Sequence, residues 1–392
     1  MRVEAGADLP AIRGGVPAFP DGLPLARPRF KDPAAIGREV ERIVESQVLT
    51  DGPTVRRLEE RASDFLGVRH CVAVASCTAG LMLVLRAAEI SGDVVLPSFT
   101  FAATAHAVTW NGLRPVFADV DPDTLTLSPD AVERAMGVRV AAILATHLYG
   151  APCDVEGLQA VAERNGVTLF FDAAHAFGAR YRRVKVGGFG AAEVFSLTPT
   201  KTLIGGEGGI IATDDDLLAE RCRVGRNYGN PGDYDCRFVG LNGRMSELHA
   251  ALALASFDDL EERVAQRGVL ARHYRSTLGT VPGVSFPTVR ADDRSTYKDL
   301  TVLIDAQAFG LSADALGEAL AAEGVETRRY YAPPVHLMRA YRAVANGVDL
   351  PVTVAAAEAA LALPLLPGMT ESEIDTLTDA VVRIRAHVGG VA

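Results

Sequence analysis

The hydrophobic and polar positions fall into three regimes along the chain. Through about residue 30, prolines and glycines are frequent and the apolar residues have no period, so an arm laid over the surface is expected. From Asp32, residues Ile36, Val40, Ile43 and Val44 recur at helical spacing, and a second amphipathic run follows the turn signal Thr50-Asp51-Gly52-Pro53. Beyond Arg69, short apolar runs at 71–75, 94–97, 115–120, 141–147 and 168–172 alternate with helical stretches. Uninterrupted apolar strands separated by helices predict a mainly parallel sheet covered on both faces, the α/β class. After further strand-like runs at 194–197 and 209–213 the alternation weakens. One long helix is expected over 245–274, then strands at 301–304 and 325–331 with helices at 313–323 and 371–386, forming a smaller α+β domain. The expected organisation is an arm at 1–30, a large domain at 31–258 and a small domain at 259–392.

Composition narrows the class. At 392 residues, 48% hydrophobic and 22% charged, the chain reads as an ordinary globular protein too long for one core. No run approaches the roughly 18 apolar residues of a membrane span, and the first ten residues lack a basic start followed by an apolar stretch. A cytoplasmic protein with no membrane partner is therefore expected. The net charge of −10 argues against broad nucleic-acid binding. Five cysteines, with no CxxC pair and no histidine at ligand spacing, read as reduced structural thiols and not as a metal site.

In open α/β sheets ligands lie beyond the carboxyl ends of the strands, so polar residues just past an apolar run carry the candidate chemistry. Ser76-Cys77-Thr78-Ala79-Gly80 is one such turn: its small residues and the helix start behind it suit a phosphate, and Ser76 equally suits a plain N-cap. Asp172 ends the run Phe170-Phe171 and is either a desolvated carboxylate paired with a cation or ring nitrogen, or a helix cap. His175 follows it. Lys201 is either an ordinary solvated lysine or, lying between two apolar strands, a desolvated amine that serves as a carbonyl nucleophile; the order of a P-loop is absent around it.

Taken in order, these stretches resemble the DegT/StrS family of fold-type-I sugar aminotransferases. The resemblance runs from about Phe30 to Val388. It is carried by Ser76-Cys77-Thr78-Ala79-Gly80, Pro97-Ser98-Phe99-Thr100-Phe101, His147-Leu148-Tyr149-Gly150, Asp172-Ala173-Ala174-His175, Phe195-Ser196, Lys201 and Glu207-Gly208-Gly209. Gly240-Leu241-Asn242-Gly243-Arg244-Met245-Ser246-Glu247 and Leu363-Pro364-Leu365 continue it.

The resemblance implies pyridoxal 5′-phosphate, which becomes pyridoxamine 5′-phosphate between half-reactions. Lys201 would hold the cofactor and then move the proton, Asp172 would keep the pyridine nitrogen protonated, and Phe101 would stack on the ring. His175 stands where the family often has Gln and would bond near the ring oxygen. Thr78, Ala79 and Ser196 would hold the cofactor phosphate, and Asn242 would reach the phosphate of a neighbouring subunit in a homodimer with shared sites. Tyr331 and His336 fall in a segment near the sugar pocket; a histidine merely packing under the cofactor domain is the other reading of His336. Thr202 replaces a frequent Asn, and Phe101 is a smaller ring than the Trp of some members.

The amino-terminal Arg13–Phe19 stretch and the run at 101–106 look most like members that make antibiotic aminodeoxysugars, in particular deoxysugar 4-aminotransferases. The implied substrates are a dTDP-4-keto-6-deoxyhexose and glutamate. A keto-cyclitol aminotransferase and a cofactor-binding regulatory protein are the alternatives, and a sugar dehydratase is disfavoured because that branch replaces the lysine with His.

Overall fold

The computed structural model describes residues 9–387, so the start of the arm and the last five residues lie outside the described part. The alternating runs form β1 (His70–Val74), β2 (Asp93–Pro97), β3 (Arg114–Ala118), β4 (Val140–Thr146) and β5 (Thr168–Asp172). A short hairpin of β6 (Arg180–Tyr181) and β7 (Val184–Lys185) precedes β8 (Ala192–Ser196) and β9 (Gly209–Thr213). Seven of these make one sheet in the order β1-β9-β8-β5-β4-β2-β3. β9 runs antiparallel to both of its neighbours, and the other pairings are parallel. Six strands therefore point their carboxyl ends the same way. The expected mainly parallel sheet is present, and its strands are buried almost throughout, as helices on both faces require.

The helices begin where the caps predict. Asp32 accepts the Ala35 amide at 2.9 Å and starts α1 (Pro33–Ser46), and Gly52-Pro53 opens α2 (Pro53–Leu66). After β1 comes α3 (Cys77–Ala87), and after β2 comes α4 (Ala102–Trp110). Of the stripe Ile36, Val40, Ile43 and Val44 only Ile43 is buried, and Val44 is 57% exposed.

Two expectations in the carboxyl-terminal part are corrected. The helix expected over 245–274 is two helices, Glu247–Phe257 and Leu260–Thr277, broken at Asp258-Asp259, residues poorly suited to a helix interior. The 325–331 run is not a strand: Val325 bridges Leu23 and Arg328 bridges Ala362 as isolated pairs. The second sheet is instead β10 (Val284–Ser285), β11 (Leu300–Ile304) and β12 (Ala360–Leu363), all antiparallel. β12 is alanine-rich, with little strand propensity of its own, and forms because its buried residues pair with β11.

A second core gathers Leu270, Tyr274, Val302, Leu316, Leu320 and Leu377. Leu260 and Val264, earlier on the same helix, pack with the large-sheet core, as do Val335, Tyr341 and Leu350 from the later chain. The arm is also more than a surface strap. Leu23 is buried in the second core, donating to the Gly324 carbonyl at 2.7 Å and accepting from the Glu326 amide at 2.9 Å. The wholly buried Glu323 carboxylate accepts from the amides of Ala11 and Ala18, both at 2.9 Å, and from Arg383 at 2.7 Å. The arm thus folds as part of the carboxyl-terminal core.

Candidate active site

The carboxyl ends of β1, β2, β4, β5 and β8 deliver the turns that the sequence singled out. Ser76 follows β1 and caps α3, its hydroxyl accepting the Ala79 amide at 3.1 Å, so the N-cap reading holds for Ser76 itself. Thr78 and Ala79 are half-buried in the first turn behind it. Gly209 of β9 backs this turn so closely that a Cβ there would lie 2.7 Å from the Cys77 amide nitrogen. Ser196 is buried, with its hydroxyl 3.4 Å from that of Thr198.

Asp172 is buried at the end of β5 and is not a plain cap. One carboxylate oxygen accepts the Ala174 amide at 3.1 Å and the other accepts the Thr104 hydroxyl at 2.7 Å. Burial raises the carboxyl pKa, while the hydrogen bonds from Thr104 and Ala174 and the Lys201 charge hold it down. Thr104 has spent its one hydrogen on Asp172, so it accepts from Thr100 at 2.9 Å, and Thr100 in turn accepts from Thr146 at 3.1 Å. This one-way chain of buried hydroxyls ends on the carboxylate. Sequence reading missed it, although Thr100 and Thr146 stand at the ends of β2 and β4, where the strand-end rule looks.

Burial pushes the Lys201 amine down to about 8, helped by the Lys298 charge and opposed by Asp299, Cys77 and Asp172. Such an amine is substantially neutral near pH 8 and can attack an aldehyde. Burial, with the charges of Lys201 and Lys298, also pushes His175 well below the usual histidine range. Its Nδ1 is buried and has no hydrogen-bond partner within the chain. Beneath the site the Cys153 amide donates to His147 Nδ1 at 3.0 Å, so the ring hydrogen sits on Nε2 and is donated to Glu193 at 2.9 Å. This buried pair was also missed.

The other predicted residues are spread around this centre. Phe101 is the N-cap residue of α4, 60% exposed, with its ring 6.3 Å from that of Tyr331. Tyr331 is buried, parallel to Tyr149 at 6.2 Å and edge-on to Phe99 at 6.0 Å. His336 is buried, and its Nδ1 lies 2.6 Å from the Ser98 hydroxyl, which also accepts the His336 amide. That pair clamps the loop to the end of β2, the geometry of the packing reading. Asn242 is exposed, while next to it the Gly243 carbonyl accepts the Ala75 amide at 2.8 Å and ties the 240–247 motif to the turn after β1. Lys298 and Asp299, a buried ion pair at 2.6 Å beside Lys201, had no signal in the sequence. A larger hollow of about 930 Å³ is lined by Asp93, Arg114 and Arg139, at the amino ends of the strands, the wrong end for this chemistry.

The residues fit a pyridoxal cofactor. A hydrogen-bonded buried carboxylate suits a protonated ring nitrogen, the unpartnered His175 nitrogen is free for a ring substituent, and Lys201 offers a partly neutral amine. Among the described residues no group of acidic, histidine and cysteine side chains could hold a metal ion.

Known proteins agree with this assignment. The DegT/DnrJ/EryC1/StrS aminotransferase family matches over residues 32–382. A dTDP-4-amino-4,6-dideoxy-D-glucose transaminase of Escherichia coli is 32% identical over 360 residues, covering 91% of this chain and 97% of its own. The crystal structure of DesI in the presence of its TDP-sugar product superposes with a TM-score of 0.91 at 39% identity, over 98% of this chain and 97% of DesI. DesV from S. venezuelae gives 0.86 at 32% identity, over 95% of this chain and all of DesV. The strand-end carboxylate, the depressed lysine and these likenesses lead to one assignment: the chain belongs to the DegT/DnrJ/EryC1/StrS aminotransferase family and is a pyridoxal-phosphate-dependent sugar aminotransferase.

Proposed function

We propose that the enzyme moves an amino group from glutamate to C4 of a dTDP-linked 4-keto-6-deoxyhexose, in the assembly of an antibiotic aminodeoxysugar in the cytoplasm. The observation that carries the reaction class is the joining of Asp172, His175 and Lys201 at the ends of β5 and β8. The sugar class rests on the likeness to DesI and to the dTDP-sugar transaminase. No helix among the described residues is long and apolar enough to cross a membrane.

Bound pyridoxal phosphate would supply an electron sink for the carbon that gains or loses the amino group. The chain's residues do the rest. Asp172, fixed by Thr104 and Ala174, holds a proton at the ring nitrogen. Lys201 would anchor the cofactor and, as a free amine, carry the proton to or from the reacting carbon; an amine brought down to about 8 exchanges protons near neutral pH. Thr78, Ala79 and Ser196 would hold the phosphate and Phe101 would cover the ring, with Tyr331 bordering the sugar and His336 packing the loop that carries Tyr331 against the end of β2. Borohydride reduction of the holoenzyme followed by peptide mapping tests the anchor, and a tag on another lysine refutes it. Incubating the pyridoxamine form with keto sugars and weighing the products tests the substrate. Amination of an inosose, with no binding of dTDP, would transfer the assignment to a cyclitol.

The proposed active form is a homodimer in which Asn242 of one chain reaches the cofactor phosphate of the other. Its support is the uncovered apolar strip at the end of α1 and just beyond: with Val44, Val48 is 43% and Leu49 52% exposed. Mixing inactive Lys201→Ala and Asn242→Asp chains gives one intact site in each hybrid. About half of the reassorted dimers are hybrids, so roughly a quarter of wild-type activity returns. Hybrids that form but stay inactive would place each site within one chain.

A further inference from the structure

The reading of Lys201 as cofactor lysine makes one cleft beside it informative. Residues 25–28 of the arm, Lys201, Arg267, Lys298, Asp299 and Tyr330 enclose a space of about 40 Å³. That is roughly the room of two or three waters. Its charge is lopsided: the lining holds five Lys and Arg side chains and Asp299 as its one carboxylate. Asp299 is taken by Lys298 at 2.6 Å, and Arg263 is paired with Asp259. The buried Arg267 donates only to the neutral carbonyls of Tyr297 and Lys298, at 2.9 and 2.7 Å. Arg27 is exposed on the arm and completes the rim. Arg267 is thus a buried cation with no matching anion, which is costly, and an incoming anion relieves that cost.

The arm is placed at this rim by built structure. The backbone bonds of Leu23 to Gly324 and Glu326, and the Leu25 amide bond to the Glu326 carboxylate at 3.0 Å, fix the chain immediately before Arg27. A free surface arginine would need none of this.

We propose that Arg27, with Arg267 behind it, forms a carboxylate-binding subsite that receives a carboxylate of the amino-donor amino acid beside Lys201. A guanidinium presents two parallel N–H groups to a carboxylate, whereas the ammonium of lysine presents a point charge.

The test uses the full-length holoenzyme, with calorimetry of glutarate, an unreactive dicarboxylate, and of dTDP. Arg27→Met is expected to weaken glutarate at least ten-fold and to raise the KM of glutamate in the donor half-reaction by a similar factor. Binding of dTDP should change by less than two-fold, and Arg27→Lys should recover only part of the loss. Unchanged glutarate binding in Arg27→Met overturns the proposal. Loss of dTDP binding with glutarate unchanged also overturns it and assigns the cleft to the nucleotide diphosphate. The underlying reaction has its own control: if glutamate fails to convert the wild-type cofactor, the donor assignment is wrong, whatever Arg27 does.

Discussion

Replacing Thr104 by Val keeps the shape of a wholly buried side chain and removes the hydroxyl that donates to Asp172 at 2.7 Å. A hydrogen bond to a buried charged group contributes about 1.5–3 kcal/mol, or roughly ten- to a hundred-fold in an equilibrium or rate that depends on that charge. Without the hydroxyl the carboxylate is less stabilised and more basic, so it competes with the ring nitrogen for the proton it should leave there. The donor half-reaction, followed by the loss of the cofactor's absorption band, should slow by about ten- to a hundred-fold with the KM of glutamate little changed. Thr104→Ser restores the donor and should restore the rate.

The same substitution has a pH signature in the apo chain. Burial raises the folded pKa of Asp172 above its unfolded value, so its contribution to stability is complete below the unfolded value and is lost as pH rises through the folded one. Thr104→Val raises the folded pKa further. Urea unfolding should show the variant roughly 3 kcal/mol less stable at neutral pH, partly from the Thr100 hydroxyl left without its acceptor, and the gap should narrow as acid protonates Asp172. A half-reaction rate equal to wild type in a folded Thr104→Val enzyme would refute the view that the hydroxyl chain tunes the carboxylate.

Other outcomes follow from the same geometry. Asp172→Asn should leave the fold intact by circular dichroism and lower the donor half-reaction by about two orders of magnitude or more, because an amide cannot keep the ring nitrogen protonated; a near-normal rate would reduce Asp172 to a cap. Cofactor uptake by the apo chain should rise with pH and level off above about 8, since Lys201 must lose its proton to attack the aldehyde; stopped-flow absorbance that inflects near the ordinary lysine value would contradict this. Glu323→Ala should release the arm, destabilising the chain by about 3 kcal/mol at most, given that its partner Arg383 is partly exposed, and exposing residues 11–28 to limited proteolysis. An arm as protease-resistant as in wild type would show that the Leu23 pairing alone holds it.

The large sheet was legible because each of its strands is buried on both faces, so every run announces itself by local hydrophobicity alone. The second sheet was not. β12 lies in the run Ala359-Ala360-Leu361-Ala362-Leu363, which local propensity reads as helix, and it becomes a strand because β11 offers it a ladder. The 245–274 helix failed for the opposite reason: the residues on both sides do favour helix, and only the two adjacent aspartates, Asp258 and Asp259, mark where the chain bends between Glu247–Phe257 and Leu260–Thr277.

The site divides along the same line. Asp172, His175, Ser196 and Lys201 come from β5, β8 and the turns just past them, so a rule about where apolar runs stop finds them in one pass. Arg27, Lys298 and Asp299 reach the same lysine from stretches some hundred or more positions away, one through the Leu23 and Val325 bridge and the others on the segment leading into β11. No periodicity spans such distances. The half that was readable is the half proposed to handle the cofactor, and its residues all sit at the ends of one sheet. The proposed donor subsite is assembled only when the arm and the second core close on that sheet, so its residues acquire a meaning from the fold that their neighbours in sequence do not carry. On this view a change in the second core, well away from Lys201, should be felt in donor affinity before it is felt in cofactor binding.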